Sequence, residues 1–150
     1  MAFGNQAMGG GVVTGARNTA CGNSALFDLT TGADNVAVGF SALENLTTGA
    51  SNVAVGRSCL QTSTTGEKNT GIGYTAFSDL TTGSGNVAVG ENAAADITTG
   101  DNNVAVGMDA LRLVTTSNGN IGIGESAGSN ITSGAGNVCI GTVLMPHLQL

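Results

Sequence analysis

Three cysteines and one histidine are the residues in this sequence best suited to bind metals or to act as nucleophiles and bases. Cys21, Cys59 and Cys139 are separated by 38 and 80 residues, which matches no zinc-ligand spacing. An odd number of cysteines fits free thiols better than a disulfide framework. His147, beside the single proline, has no nucleophile marked by a local motif, and a general base needs a partner within hydrogen-bond reach. We predict no metal, no cofactor and no catalytic site.

Phosphate and nucleic-acid chemistry are also disfavoured. The glycine-rich stretch GIGESAG at 122–128 is not followed by the lysine of a phosphate-binding loop. The net charge is −6, and the basic residues number four, so the chain has no electrostatic footprint for nucleic acid or an anionic membrane. No apolar stretch is long enough to span a membrane, and the amino-terminal residues lack the features of a secretory signal. We expect neither nucleic acid nor membrane insertion.

A repeat of seventeen residues accounts for most of the sequence. NVAVG occurs at 35–39 and again at 52–56, within a rough consensus N-V-A-V-G-x-S-A-L-x-x-L-T-T-G-x-x. We number the repeat from its asparagine as position 1. That asparagine recurs at Asn18, Asn35, Asn52, Asn69, Asn86, Asn103, Asn120 and Asn137. The glycine at position 5 recurs at Gly22, Gly39, Gly56, Gly73, Gly90, Gly107, Gly124 and Gly141.

Each repeat predicts one short strand and two turns. Positions 2 and 4 are β-branched or apolar, as in Val36 and Val38, which favours a strand. Position 3 is always small, as in Ala37, so we expect both faces of the strand to be buried. Positions 8, 9 and 12 are apolar and fit either a helical turn or a short bent strand. The Thr-Thr-Gly that follows predicts a turn in which glycine takes a positive φ.

A unit this short cannot bury its own apolar residues, so the repeats must stack. We predict parallel pairing of each strand with its equivalent in the next repeat, at about 4.8 Å per coil. Eight coils would form a rod roughly 40 Å long. One inserted residue would move later side chains to the wrong face, which explains the strict period. Stacked asparagines can form a hydrogen-bonded ladder and cap turns, and we interpret them as structural.

Carboxylates and threonines recur at turn positions. Asp28, Asp79 and Asp96 share position 11, and Glu67 and Asp101 share position 16. We interpret them as solvated edge charges that discourage lateral association. Stacking would align the first threonines of the Thr-Thr-Gly turns in one row, from Thr30 to Thr132. Since threonine rows can order water, an ice-binding solenoid is an open alternative.

The phrases NVAVGFSALENLTTGASNVAVG at 35–56 and NTGIGYTAFSDLTTGSGNVAVG at 69–90 resemble the N-T-A-V-G-Y…T-T-G repeats of bacteriophage tail-fibre and bacterial surface proteins. The N-x-V-A-V-G core is more distantly similar to the head repeats of trimeric autotransporter adhesins. The resemblance implies an elongated homotrimeric β-roll that acts as a shaft or adhesive head. It implies no catalytic residues.

These observations predict an all-β protein, a parallel β-solenoid of about eight seventeen-residue coils assembled as a homotrimer. The array should occupy residues 1–141, with full units from 18 and one extra residue near Gly9–Gly11. Residues 142–150, TVLMPHLQL, form an aperiodic tail that we interpret as a cap or an interface.

We expect a non-enzymatic fibre or adhesin segment on a virion or cell surface, with a self-polymerising filament subunit as an alternative. A cell-surface glycan or receptor would bind at position 6, which varies between repeats while the frame does not. We call this set of residues the position-6 row. Its predicted ligand-facing members are Phe40, Arg57, Tyr74, Glu91 and Met108.

Overall fold

The computed structural model describes residues 1–142, and within them it contains one nine-stranded parallel sheet and no helix. Consecutive strands are neighbours throughout the sheet, so the chain winds as a β-solenoid. The strands are β1 Ala2–Phe3, β2 Thr19–Cys21, β3 Val36–Val38, β4 Val53–Val55, β5 Thr70–Ile72, β6 Val87–Val89, β7 Val104–Val106, β8 Ile121–Ile123 and β9 Val138–Ile140. The prediction of a parallel β-solenoid is confirmed.

The strand register follows the sequence period. Val36 pairs with Val53, an offset of seventeen residues, and this offset holds at every pairing from β2 to β9. Ala2 pairs with Ala20, an offset of eighteen. The extra residue predicted in the first coil is therefore present, and the first strand still joins the ladder.

Within the described chain the strands are buried on one face only, so the expected burial of the second face would require another copy of the chain. The small residue at position 3 points into the core, and Ala37 is fully buried. The residues at positions 2 and 4 point outward and are half-buried or exposed, as Val36 and Val38 are. The small side chain is required on the inside, where Cys59 and Leu60 in the turn segment of the preceding coil pack against the strand at Gly71. The outward valines have no partner within the described chain.

Positions 6 to 11 form turns. They are neither the helical turn nor the bent strand that the sequence left open. Residues at positions 7 and 9 take left-handed backbone conformations, as in Ser41 (φ 53) and Leu43 (φ 51). A left-handed conformation costs a non-glycine residue about 1–2 kcal/mol. Leu43 is nevertheless fully buried, so its burial in the core offsets the backbone cost.

The Thr-Thr-Gly turn differs from the prediction in its backbone. Gly49 at position 15 does not take a positive φ. The left-handed residue of this turn is Ser51, at position 17. A Cβ on Gly49 would overlap the carbonyl oxygen of Gly66 in the next coil. Glycine is therefore needed here for close stacking of backbones, and not for its conformational freedom.

Side-chain volumes compensate between neighbouring coils in the core. Cys59 stands where most coils have alanine, and the next coil has Gly71 where most coils have alanine. A Cβ on Gly71 would lie 2.5 Å from the Cys59 sulfur. Similarly, the large Phe77 is followed at the same position by the small Ala94, and both are fully buried. The core is packed along the solenoid axis as well as within each coil.

Candidate functional site

The position-1 asparagines form a continuous ladder inside the solenoid. Asn52 is fully buried. Its Nδ2 donates to Oδ1 of Asn35 (3.1 Å) and to the carbonyl oxygen of Gly66 (2.8 Å). Its Oδ1 accepts a hydrogen bond from the backbone N–H of Asn69 (2.9 Å). Bonds between neighbouring asparagines continue from Asn18 to Asn137. Buried and hydrogen-bonded in this way, these amides join coil to coil and present no group to a ligand.

The position-5 glycines end each strand with a sharp change of direction. Gly39 has a φ of 137° and Gly56 one of 138°, values that only glycine adopts readily. A Cβ at Gly39 would also overlap the backbone of Gly56. These glycines leave a column without side chains between the exposed residues of positions 4 and 6.

A second polar ladder at position 16 was missed by the sequence reasoning. Ser84 Oγ accepts a hydrogen bond from the Glu67 N–H (3.1 Å), and Asp101 Oδ1 accepts one from the Ser84 N–H (2.8 Å). Asn118 Oδ1 in turn accepts one from the Asp101 N–H (2.8 Å). Asp101 therefore caps a backbone group of the preceding coil and is more than a solvated edge charge. The sequence signal for this ladder was the recurrence of short hydrogen-bond-accepting side chains at position 16 in successive repeats.

The cysteines and carboxylates remain apart. Cys21 is exposed, Cys59 buried and Cys139 half-buried, and all three are free thiols. Residues 1–142 contain no group of three histidine, cysteine or acidic side chains placed to hold a metal ion. The position-11 carboxylates lie on separate coils at the surface: Asp28, Asp79 and Asp96. His147 lies outside the described residues.

We expect Cys59 to be unreactive in the folded protein. Burial raises the pKa of its thiol from 9.0 to about 12, so little thiolate forms near pH 8. Iodoacetamide should modify Cys59 only after unfolding, as mass spectrometry of tryptic peptides would show. Because the folded pKa is raised, this thiol's contribution to stability is complete below pH 9 and is lost as the pH rises towards 12.

The variant C59A, which restores the consensus alanine, is the matched control for that prediction. Its free energy of unfolding should fall less between pH 9 and pH 12 than that of the unaltered chain. Labelling of Cys59 in the native protein as fast as in the urea-unfolded chain would contradict its buried position.

The first threonine of each Thr-Thr-Gly turn forms a hydrogen bond to the next coil of the solenoid. Hydroxyl groups at position 13 donate to the threonine carbonyl oxygen of the next coil, as in Thr30 to Thr47 (3.0 Å) and Thr47 to Thr64 (3.0 Å). A donor already committed to the backbone is less available to order water. The column at position 14 is exposed, for example at Thr48, and it supplies a single row. This arrangement does not favour ice binding.

The outward sheet surface is uncharged along the described solenoid and mostly apolar, with threonine at position 2 in Thr19 and Thr70. We call the columns at positions 2 and 4 the apolar face. Position 4 is uncharged in every coil: Cys21, Val38, Val55, Ile72, Val89, Val106, Ile123 and Ile140. Val38 is 37% exposed and Ile72 42% exposed. At about 4.8 Å per coil and 3.3 Å per residue, the face measures roughly 40 Å by 10 Å, or about 400 Å². Patches of this size often mark interaction sites.

The position-6 row lies beside the apolar face, separated from it by the position-5 glycines. Phe40, Tyr74 and Met108 are 51%, 49% and 43% exposed. The Arg57 guanidinium lies over the Phe40 ring at 5.5 Å and over the Tyr74 ring at 5.9 Å. The structure thus brings three of the five predicted ligand-facing residues into contact. Their stacking gives Arg57 a defined position at the surface.

Comparisons with protein-family models, curated proteins and solved structures find no match to this chain. The resemblance of its repeats to fibre and adhesin repeats therefore stays a prediction. Within residues 1–142 there is no helix long and apolar enough to cross a membrane.

Proposed function

We propose that the chain is a structural, non-catalytic segment of a fibre or adhesin at a virion or cell surface. The observation that carries this proposal is the apolar face, which runs along a rigid repeat and has no partner within the described chain. Positions 2 and 4 carry no charged residue in any coil of the repeat array. Apolar patches of this size are often functional, and larger ones mark interaction sites.

Further copies of the chain are the proposed cover. The regular coil spacing of one copy matches that of another, so side chains from two faces can interdigitate along their whole length. The resemblance to fibre and adhesin repeats favours three copies, and we propose a homotrimer. A self-polymerising filament subunit is the alternative. Attachment would then involve the position-6 row, which stays exposed beside the covered face and to which we assign a surface partner such as a glycan or receptor.

Charges on the apolar face should break this assembly. In the variant V55D/V89D, burying two carboxylates against another copy would require desolvation without compensating partners. We expect light scattering coupled to size exclusion to give about three times 14.6 kDa for the unaltered chain. The variant should give 14.6 kDa with an unchanged circular dichroism spectrum, because both substituted side chains are outward-facing.

The variant T48D is the matched control, since Thr48 is exposed on a different surface of the solenoid. It should keep the mass of the unaltered chain. An unaltered chain that stays at 14.6 kDa at every concentration would contradict self-association, and long filaments in negative stain would favour the filament alternative.

A further inference from the structure

The position-6 row has an order of residue types that is self-complementary about its centre. Tyr74 is the middle residue. One coil away on either side are Arg57 and Glu91, which carry opposite charges, and two coils away are Phe40 and Met108, which are both apolar. The next pair outward, Asn23 and Glu125, is polar. A row with this symmetry of types can pair with a reversed copy of itself.

A two-fold axis along the strand direction, at the level of Tyr74, would reverse the order of coils in the second copy. Tyr74 would then face Tyr74. Arg57 of each copy would face Glu91 of the other, and Phe40 would face Met108. The match in spacing follows from the constant coil rise, because each member lies a whole number of coils, at about 4.8 Å each, from the axis. Such an isologous contact contains two opposite-charge pairs and two apolar pairs.

Parallel copies would meet differently. With both solenoids pointing the same way and their coils level, Arg57 would approach Arg57 and Glu91 would approach Glu91. Like charges brought together across an interface are unfavourable and reject that arrangement. The row therefore discriminates between the two orientations, which an entirely apolar row would not do.

The chain leaves both charges free for this use. Among the described residues, the ion pairs are Arg17 with Asp34 and Arg112 with Asp109, and neither involves Arg57 or Glu91. Stacking between the Phe40 and Tyr74 rings holds the Arg57 guanidinium in place at the surface. A side chain that is already ordered loses less conformational freedom when it binds.

We propose that the position-6 row is a docking surface for a second copy of this chain in antiparallel orientation. The inference rests on the proposed surface role of the row and names a second copy of the chain, in place of a glycan or receptor, as its partner. It concerns a contact beside the apolar face, so it would join two solenoids, or two assemblies of them, side by side. A row of five coils, about 20 Å long, fits a contact of the small, transient class.

Charge reversal tests the pairing. In the full chain at low ionic strength, R57E and E91R should each weaken lateral self-association at least about tenfold in sedimentation velocity. An equimolar mixture of the two variants should restore it, because the introduced glutamate of one variant would then face the introduced arginine of the other, while the retained Glu91 would face the retained Arg57. The double variant R57E/E91R should also restore it. Unchanged association in the single variants, or no recovery in the mixture, would overturn the proposal.

Cross-linking tests the orientation. In a C21S/C139A background, Y74C should cross-link to itself with a short bismaleimide, since Tyr74 lies on the axis. F40C alone should not, whereas a mixture of F40C and M108C should. Efficient self-cross-linking of F40C would show parallel pairing and overturn the inference. So would single-charge variants that abolish binding to a glycan array while leaving self-association intact.

Failure of this inference and failure of the proposed function give different results. Loss of assembly in V55D/V89D with no effect of R57E would leave the fibre proposal intact and remove only the lateral contact. Recovery of association in the charge-swapped mixture, with V55D/V89D unchanged in mass, would support the row and remove the apolar face as an interface.

Discussion

Deleting residues 52–68 is expected to leave a folded, shorter solenoid, whereas deleting Ala54 alone is expected to unfold it or destabilise it by more than about 4 kcal/mol. The long deletion removes one whole coil and joins Ser51 to Asn69. Asn69 then falls into the register that Asn52 occupied, and β5 pairs with β3. Every ladder is restored with one coil fewer.

Deletion of Ala54 acts on the strand itself. Ala54 is buried, and its neighbours Val53 and Val55 point outward. Removing it shifts Val55 into the inward position, where the small side chain is required, and turns the wrong side chains outward. The turns of this coil would also lose alignment with both neighbours. Because strand residues pair on two sides here, the defect cannot be confined to one edge.

Circular dichroism with urea unfolding measures both outcomes. The long deletion should keep the spectrum of the unaltered chain and lower the m-value by roughly one part in eight, since m scales with the surface exposed on unfolding. Equal stability of the two deletions would contradict the stacked-coil arrangement. The natural extra residue in the first coil marks where length changes are tolerated: Gly11 and Val12 are exposed, and this coil stacks on one neighbour within the described chain.

Sequence reasoning was able to predict the parallel ladder because a fixed period leaves few ways to stack. Positions 1 to 5 of every repeat predict a strand and the glycine that ends it. The spacing of seventeen residues fixes the pairing register of neighbouring strands. The same reasoning expected both faces of the strand to be buried, whereas within the described chain only the face that carries position 3 is buried. Valine is larger and more apolar than alanine, yet the inner space is already filled by residues such as Leu43 and Leu46. Composition alone does not show how much space remains.

The sequence predicted where the turns lie along the chain, but it did not predict their backbone conformation. Leucine at a left-handed position, as at Leu43 and Leu60, runs against local preference and is held by the packing of neighbouring coils. Gly49 was assigned a positive φ that Ser51 takes instead. Contacts between coils decide these features, and they depend on residues seventeen apart. The proposed sites follow the same division: the position-6 row was visible in the sequence, whereas the stacking of Arg57 between two rings required the structure.

Replacing Asn52 with alanine is expected to destabilise the solenoid by about 4 kcal/mol. The substitution leaves the carbonyl oxygen of Gly66 and the N–H of Asn69 without their partners in a buried site. Each orphaned buried group costs about 1–3 kcal/mol, and the bond to Asn35 Oδ1 is lost as well. Urea or thermal unfolding of N52A would measure the loss, with the oligomer dissociated by V55D/V89D so that unfolding is unimolecular.

Variants of two further asparagines distinguish the loss of ladder hydrogen bonds from the general effect of removing an amide side chain. Asn45 lies at position 11, and its side chain makes no hydrogen bond within the described residues; N45A should cost less than about 1 kcal/mol. Asn137 is half-buried in the last described coil, where its Nδ2 donates to Asn120 Oδ1 (2.8 Å). The destabilisation caused by N137A should therefore lie between those of N52A and N45A, because Asn137 forms ladder bonds to the preceding coil alone within the described residues. Equal losses for N52A and N45A would show that the coils are held by apolar packing alone, and that the repeated asparagine serves chiefly to set the turn.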